Sequence, residues 1–383
     1  MPDAATPDAE LSRREMNLRV FRREPLPRVF FQPRIEPWYA WASQFGTMPP
    51  SCRALSLTDV FDDLDASMRY VDYWTGQPYP LVATWSADVK ITQRDEPGWR
   101  YVTYHTPHGD LQEELEFTVD HTWRTVGFAG RRTEDLPALA WLLARRRWRF
   151  DPDRYRLGDA YVGDRGVGQF FLPKSPYLAM AQQWMRFEAF IYALADARDQ
   201  VEDIFRIIDD SYDELYEQLC ACRMTPILNF GENVAEAHMG PAYFREYLLP
   251  WYHRRSGQLQ RAGLFTHIHI DGYFKSLLPM LRELPHDGLE ALTPLPQGDV
   301  SLEEIAQHIG DKILLDGIPA VYFLPHHSRD ELHTCVERLI ELFHPRLVLG
   351  ISDELPQAAD EEGYARLQWV AQRCRESAAP AMA

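Results

Sequence analysis

Two histidines and an aspartate occupy alternate positions in the stretch LFTHIHIDG, residues 264–272. Successive side chains of a β-strand point to opposite faces, so His267, His269 and Asp271 share one face and two isoleucines share the other. The glycine that follows ends the strand and places Asp271 at its carboxyl end. Imidazole nitrogen and carboxylate oxygen are ligands that zinc accepts, although a strand histidine can equally be a hydrogen-bonded core group.

Further polar side chains follow other short apolar stretches, at the positions where strands would end. They are Glu232 and Asn233 after residue 230, Asp316 after residue 315, and Asp353 and Glu354 after residue 351. In a (β/α)₈ barrel these positions converge on the mouth that holds the active site. We therefore assign catalytic roles to Glu232, Asn233 and Asp316. A catalytic zinc ordinarily has three protein ligands; His269 and Asp271 would be two, and Glu232 and Asp353 are the candidates for the third.

The elements that would position these residues alternate between strand and helix after residue 160. Such alternation, with short apolar strands, is typical of a parallel sheet covered by helices. The predicted fold is an α/β, (β/α)₈ TIM barrel with an N-terminal extension and an inserted antiparallel β-meander at about residues 80–120. Residues 1–15 are predicted to be a disordered tail, and residues 16–383 a single domain. A doubly wound open sheet is the alternative, but no GxGxxG or Walker-type loop follows any strand.

Two helices are predicted within the first 150 residues. Apolar residues recur every three or four positions from residue 57 to residue 71, which predicts a helix that includes Met68 and Val71. A second helix is predicted over residues 136–148, where the basic run from Arg145 to Arg147 suits a helix carboxyl terminus.

Composition excludes several classes of function. The net charge is −17 over 383 residues, which argues against a nucleic-acid groove. No apolar run approaches the roughly 20 residues that a membrane helix needs, and the first residues lack the layout of a signal peptide. The five cysteines are scattered, which indicates a reducing compartment. We therefore expect a cytoplasmic protein that binds neither nucleic acid nor membrane.

Several segments resemble the uroporphyrinogen decarboxylase superfamily over about residues 160–375. They are NFGEN (229–233), GPAYFREYLLPWY (240–252), HIHIDG (267–272), GDKI (310–313), DGI (316–318) and LGISDELP (349–356). The resemblance implies a (β/α)₈ barrel with its active site at the carboxyl-terminal mouth. It also makes a homodimer an expectation, because homodimers are common in the superfamily.

The superfamily has two chemistries, and one short segment favours the second. The decarboxylases carry an Arg-Gln-Ala-Gly-Arg-Tyr segment whose cations hold substrate carboxylates. This chain has QPRIEPWY at residues 32–39, with one arginine and an added glutamate. Gln32, Arg34 and Trp38 are the substrate-binding residues that the resemblance implies here. The other branch is the zinc-dependent methyltransferases that work with corrinoid proteins.

The methyltransferase branch binds zinc through a His-x-Cys motif and a distant cysteine. His269 matches the histidine, Asp271 stands in place of the first cysteine, and Asp353 lies near the place of the second. The resemblance implies Zn²⁺ on these three residues. It further implies a small-molecule methyl donor of the methyl ether type, with the methyl group passing to a corrinoid (cobalamin) carried by a partner protein. A decarboxylase or lyase acting on a different small acid, and a non-catalytic binding protein, remain the alternatives.

Overall fold

A six-stranded parallel sheet forms the centre of the computed structural model, which describes residues 11–377. The strands of the described chain are β1 (Phe30–Phe31), β2 (Leu81–Trp85), β3 (Lys90–Glu96), β4 (Trp99–Thr106), β5 (Gly109–Phe117), β6 (Trp123–Gly127), β7 (Arg146–Phe150), β8 (Ile227–Val234), β9 (Phe265–Ile270), β10 (Gly288–Glu290), β11 (Ile313–Pro319) and β12 (Leu347–Ser352). The central sheet has the order β1-β12-β11-β10-β9-β8, and its pairs are all parallel. Strands β10, β11 and β12 are buried at every position, as expected for a parallel sheet covered on both faces.

Helices follow most of the parallel strands and cover the sheet. The α-helices are α1 (Arg13–Arg22), α2 (Glu36–Phe45), α3 (Leu57–Asp63), α4 (Leu136–Leu143), α5 (Pro152–Val162), α6 (Pro176–Ala179), α7 (Phe187–Asp196), α8 (Arg198–Asp210), α9 (Asp213–Cys222), α10 (Pro241–Tyr243), α11 (Leu249–Arg261), α12 (Leu302–Ile309), α13 (Arg329–Phe343) and α14 (Glu361–Glu376). 3-10 and π helices lie at Thr133–Asp135, Gly163–Arg165, Met180–Trp184, Glu236–His238, Phe244–Leu248, Lys275–Glu283 and Ala320–Phe323. Among residues 11–377, no helix is both long and apolar enough to cross a membrane.

Two extended segments, residues 67–71 and 167–172, lie between the outer strands β1 and β8 of the parallel sheet. Backbone hydrogen bonds of 2.8 Å connect one segment to the next, from Ser67 to Phe31, from Gln169 to Arg69 and from Leu172 to Asn229. Bridges of parallel type accompany them. The edges of the sheet therefore have hydrogen-bonding partners in both segments.

The insertion differs from the predicted meander in its extent and pairing. Strands β3 to β6 form a four-stranded antiparallel sheet that reaches Gly127, beyond the predicted limit near residue 120. Strand β2 is not part of that sheet, because it pairs antiparallel with β7. The helix predicted over residues 136–148 is therefore wrong in its second half. Helix α4 ends at Leu143, and the basic run enters a strand whose side chains are alternately less and more exposed.

Two predicted boundaries near the amino terminus are also corrected. Helix α3 ends at Asp63, so Met68 and Val71 lie in an extended segment instead of a helix. Their apolar spacing reflects burial against the sheet. The predicted tail of residues 1–15 lies in part outside the described residues, but its last residues are helical. Ser12 caps α1 by accepting a hydrogen bond from the Glu15 N–H at 3.1 Å.

Glu36, at the start of α2, generates a prediction about stability. The residue is 1% exposed, and its carboxylate accepts a hydrogen bond from the Ile35 N–H at 3.0 Å. Burial raises the pKa of Glu36 from 4.5 to about 7, against the opposing effect of its backbone hydrogen bond and of Arg34. The folded state thus holds this proton more tightly than the unfolded state, so the contribution to stability falls as pH rises from 4.5 to 7.

We expect Glu36→Gln to remove this dependence and to stabilise the protein above pH 7 by about 3 kcal/mol relative to the parent chain. Urea unfolding of both proteins across this pH range is the measurement. The exposed Glu24→Gln is the matched control and should track the parent chain. A stability difference that does not change with pH would contradict the assignment.

Candidate active site

A cavity of about 770 Å³ lies at the carboxyl ends of the parallel strands. Its wall includes Arg34 after β1, Asn233 at the end of β8, Asp271 after β9, and Asp353 and Glu354 after β12. The volume lies within the range of small-molecule sites, and the carboxyl edge of parallel strands is where such sites form. Aromatic side chains complete the wall, many of them from the insertion and the segments beside it (Tyr73, Tyr79, Trp85, Tyr104, Trp148, Phe171 and Trp184).

The structure brings five of the nine predicted site residues to this cavity. They are Arg34, Asn233, His269, Asp271 and Asp353. Four others are buried away from the cavity surface, namely Gln32, Trp38, Glu232 and Asp316. The roles that we assigned to all nine residues stay predictions.

The four buried residues have partners inside the protein. Trp38 donates its indole N–H to the Ala359 carbonyl at 2.9 Å and stacks on Tyr364, as a core residue would. Glu232 accepts hydrogen bonds from the Ser175 N–H at 2.7 Å and from its hydroxyl at 2.6 Å. Burial raises the pKa of Glu232, and the nearby Lys174 opposes this shift.

Beneath the cavity, Glu290 at the end of β10 is completely buried and accepts several hydrogen bonds. Its donors are Arg69 Nη1 at 2.7 Å, Tyr70 Oη at 2.8 Å and Asn229 Nδ2 at 2.7 Å, and His267 Nδ1 lies 3.0 Å from Glu290 Oε2. Burial by itself would raise the pKa of Glu290, but the Arg69 guanidinium and His267 hold it well below its usual value. The carboxylate is therefore a fixed negative charge in the interior.

Arg69 joins Glu290 to two of the predicted residues. Its Nη2 lies 2.7 Å from Asp316 Oδ1, and its Nε donates to Gln32 Oε1 at 2.9 Å. Burial raises the pKa of Asp316 to about 6, although the Arg69 charge opposes the shift. Gln32 and Asp316 thus hold the arginine in place beneath the cavity.

His269 connects this buried charge to the cavity. Its Nδ1 is buried and lies 3.6 Å from Glu290 Oε1, while the ring forms part of the cavity wall. A histidine that turns one ring nitrogen to a carboxylate presents the other nitrogen for proton transfer or metal binding. Across the wall, burial and Glu354 raise the pKa of Asp353, while Arg34 and His269 oppose this shift.

The fold is similar to that of a methyltransferase from Methanosarcina mazei. The TM-score is 0.58 at 13% sequence identity, over 95% of this chain and 99% of that chain. A B12-independent methionine synthase from Shewanella sp. W3-18-1, in complex with selenomethionine, has a TM-score of 0.44 at 13% identity over 91% of this chain. No family model and no curated protein matches the sequence. The first similarity shows a shared fold, in agreement with the predicted α/β class.

The three predicted zinc ligands line one cavity but do not form a metal site. Within residues 11–377, no three His, Cys, Asp or Glu side chains are grouped closely enough to hold a metal ion. Asp353 Oδ1 accepts a hydrogen bond from Arg34 Nη1 at 3.1 Å, so a cation already occupies its side of the cavity. Asp271 Oδ1 accepts from the Gly272 N–H at 2.6 Å. As arranged, this donor set does not fit zinc, which prefers a compact tetrahedron of ligands.

Three predicted site residues have an unusual backbone conformation. Asn233, Asp316 and Asp353 have φ angles of 51°, 76° and 75°, in the left-handed region that residues other than glycine seldom adopt. Such conformations cost free energy and tend to cluster at functional sites. Asn233 lies near the carboxyl end of β8 and Asp353 directly follows β12, which supports a functional role for this edge of the sheet, whereas Asp316 lies in the middle of β11.

Sequence reasoning missed the central ion pair. The helical spacing predicted over residues 57–71 hid Arg69, which lies in an extended segment beside the sheet. Glu290 is a lone acid in an otherwise apolar strand, and that was the available signal, because a buried acid needs a partner. Two further cavity residues, Glu113 in the insertion and Arg146 on β7, gave no signal by spacing.

Removing the arginine of this ion pair should destabilise the fold. Arg69→Gln leaves the buried Glu290 and Asp316 carboxylates without their shared cation, so we expect a loss of about 3 to 5 kcal/mol of unfolding free energy. Urea unfolding measures it. The matched control is Arg165→Gln, which removes a surface ion pair with Asp62 and should change stability far less. Equal losses in the two variants would contradict the central position of Arg69.

Proposed function

We propose that this chain is an enzyme that removes a methyl group from a small molecule bound in the cavity, and delivers it to an acceptor. The proposal rests on the position of His269. Its ring lines the cavity, and its Nδ1 lies 3.6 Å from the buried Glu290 carboxylate. The fold that the chain shares with a methyltransferase supports the choice of this reaction among those the cavity could host.

The chemical difficulty in this reaction is the leaving group. When the C–O bond of a methyl ether breaks, its electron pair stays on oxygen, and an alkoxide or phenolate leaves poorly without stabilisation. In our proposal His269 gives its Nε2 proton to this oxygen, which produces an alcohol or phenol. Glu290 stabilises the positively charged ring before the transfer and fixes its orientation. The methyl carbon forms its new bond to a nucleophile of the acceptor.

The acceptor in this proposal is the corrinoid of a partner protein, which would supply the nucleophile for the methyl group. That acceptor, the methyl ether donor, a homodimer and a cytoplasmic location rest on the resemblance and composition described above. Zinc on His269, Asp271 and Asp353 is the competing version of the same site, in which the metal would replace the proton as the group that stabilises the leaving oxygen.

We also propose that the central sheet closes into the predicted eight-stranded barrel. The hydrogen bonds of residues 67–71 and 167–172 to β1, to each other and to β8 support this closure, because they supply two further members between the outer strands. A closed barrel would gather the strand ends, and thus His269, Asp271 and Asp353, around one mouth.

The role of His269 can be tested by substitution. We expect His269→Gln to lower the demethylation rate by about 100-fold or more, because the proton donor is lost. Purified protein is incubated with reduced cobalamin and a panel of methoxylated aromatic acids, amides and alcohols, and the demethylated product is measured by mass spectrometry. The exposed His326→Gln is the matched control. Release of CO₂ without demethylation would instead favour the decarboxylase.

Metal analysis separates the two versions of the site. Because Arg34 is paired with Asp353, we expect the purified protein to hold no stoichiometric zinc after dialysis against zinc and then against buffer. Atomic emission spectrometry of the parent chain and of His269→Ala is the measurement. Stoichiometric zinc in the parent chain, lost in a folded His269→Ala variant, would establish the zinc version and contradict ours.

A further inference from the structure

Arg146 is a cation on the cavity wall that has no acidic partner among residues 11–377. It lies on β7, and its guanidinium carbon is 4.5 Å from the ring centre of Trp148, 5.3 Å from that of Trp184 and 5.5 Å from that of Trp85. Its Nε is buried and has no hydrogen-bond partner in the described part of the chain. Among the described residues Arg146 forms no ion pair, so its terminal nitrogens are available to the cavity that it lines.

Lys174 is a second cation of the same wall that lacks a carboxylate partner in the described chain. Its Nζ donates to the Gly231 carbonyl at 2.8 Å and to the Glu232 carbonyl at 3.0 Å. An ammonium group has three donors, so one remains for the cavity. Burial lowers the pKa of Lys174, although Glu232 and Asp271 oppose the shift. A bound anion would also oppose it, because a nearby negative charge stabilises the charged ammonium.

The third cation of the wall differs, because its charge is already neutralised. Arg34 pairs with Asp353 at 3.1 Å and with Glu354 at 2.8 Å. The acid of the insertion that lies in the cavity, Glu113, accepts a hydrogen bond from Tyr104 at 3.0 Å and forms no ion pair with Arg146 within the described residues. Among the described residues, Arg146 and Lys174 are therefore the cations of the cavity wall that form no ion pair.

We propose that the cavity binds a molecule with a carboxylate group, which Arg146 and Lys174 hold while aromatic side chains enclose its apolar part. A buried guanidinium without a partner is costly, and a carboxylate accepts two parallel hydrogen bonds from it. Asp271, Asp353, Glu354 and Glu113 also line the cavity and would repel a doubly charged phosphate more strongly than a carboxylate. That this carboxylate is the methyl donor rests on the proposed function. That the cavity binds a carboxylate does not depend on the proposed function.

In this proposal, strand β7 and the antiparallel sheet of β3 to β6 select the substrate. Strand β7 alternates side chains, so that Arg146 and Trp148 line the cavity while Arg147 is exposed. The antiparallel sheet also contributes Tyr104 and Glu113 to the wall. The parallel sheet would thus supply the reacting groups, and the insertion would select substrates by charge and shape.

Binding measured without turnover tests the inference. The probes are p-methoxybenzoate and its neutral analogue p-methoxybenzamide. The affinity of each is measured by isothermal titration calorimetry and by tryptophan fluorescence, because three tryptophans surround Arg146. We expect the carboxylate to bind at least about tenfold more tightly than the amide. Arg146→Gln should abolish this preference without weakening the amide, and Arg146→Lys should restore part of it.

Arg147→Gln, on the exposed face of the same strand, is the matched control and should leave both affinities unchanged. Thermal unfolding of each variant verifies that it is folded. Equal binding of acid and amide, unchanged preference in Arg146→Gln, or tighter binding of p-methoxyphenyl phosphate than of the carboxylate would each overturn the inference. If the carboxylate binds as expected but no methyl ether is demethylated, the inference stands and the proposed function fails.

Discussion

The buried ion pair between Arg69 and Glu290 is the constraint on which the site depends. An isolated charge in a protein interior is strongly unfavourable, so each of these groups requires the other. The pair links β10 to the extended segment of residues 67–71, and Asp316 extends it to β11. The same carboxylate reaches His267 and His269 on β9. The position of one acid thus determines the relative placement of several strand ends.

Two structurally different parts of the chain form the cavity above this ion pair. The parallel sheet contributes Arg34, Asn233, His269, Asp271 and Asp353 from its strand ends. The insertion and its neighbouring segments contribute an aromatic wall and the cation Arg146. This division suits an enzyme in which the sheet fixes the reacting groups, because strands hold side chains more precisely than loops do.

The sequence predicted the parallel sheet and the edge at which the site lies, because both follow from local patterns. Apolar strands followed by polar residues identified Asn233, His269, Asp271 and Asp353, which the structure brings to one cavity. Partners distant in sequence were not predictable in this way. Arg69 and Glu290 are 221 residues apart, and the apolar spacing around Arg69 is compatible with a helix as well as with a buried extended segment. The place of Arg146 on the cavity wall was not predicted, because the basic run that contains it resembles a helix carboxyl terminus. In the structure this run enters strand β7, which pairs with β2.

A crystal structure of the protein with bound p-methoxybenzoate would locate the reacting oxygen relative to His269, which decides whether this histidine is the proton donor. We expect the ether oxygen within about 2.6 to 3.2 Å of His269 Nε2, with Nδ1 still directed to Glu290 and the carboxylate of the ligand beside Arg146. A ligand bound with its methoxy group away from His269, or a metal ion between His269 and the ether oxygen, would contradict it.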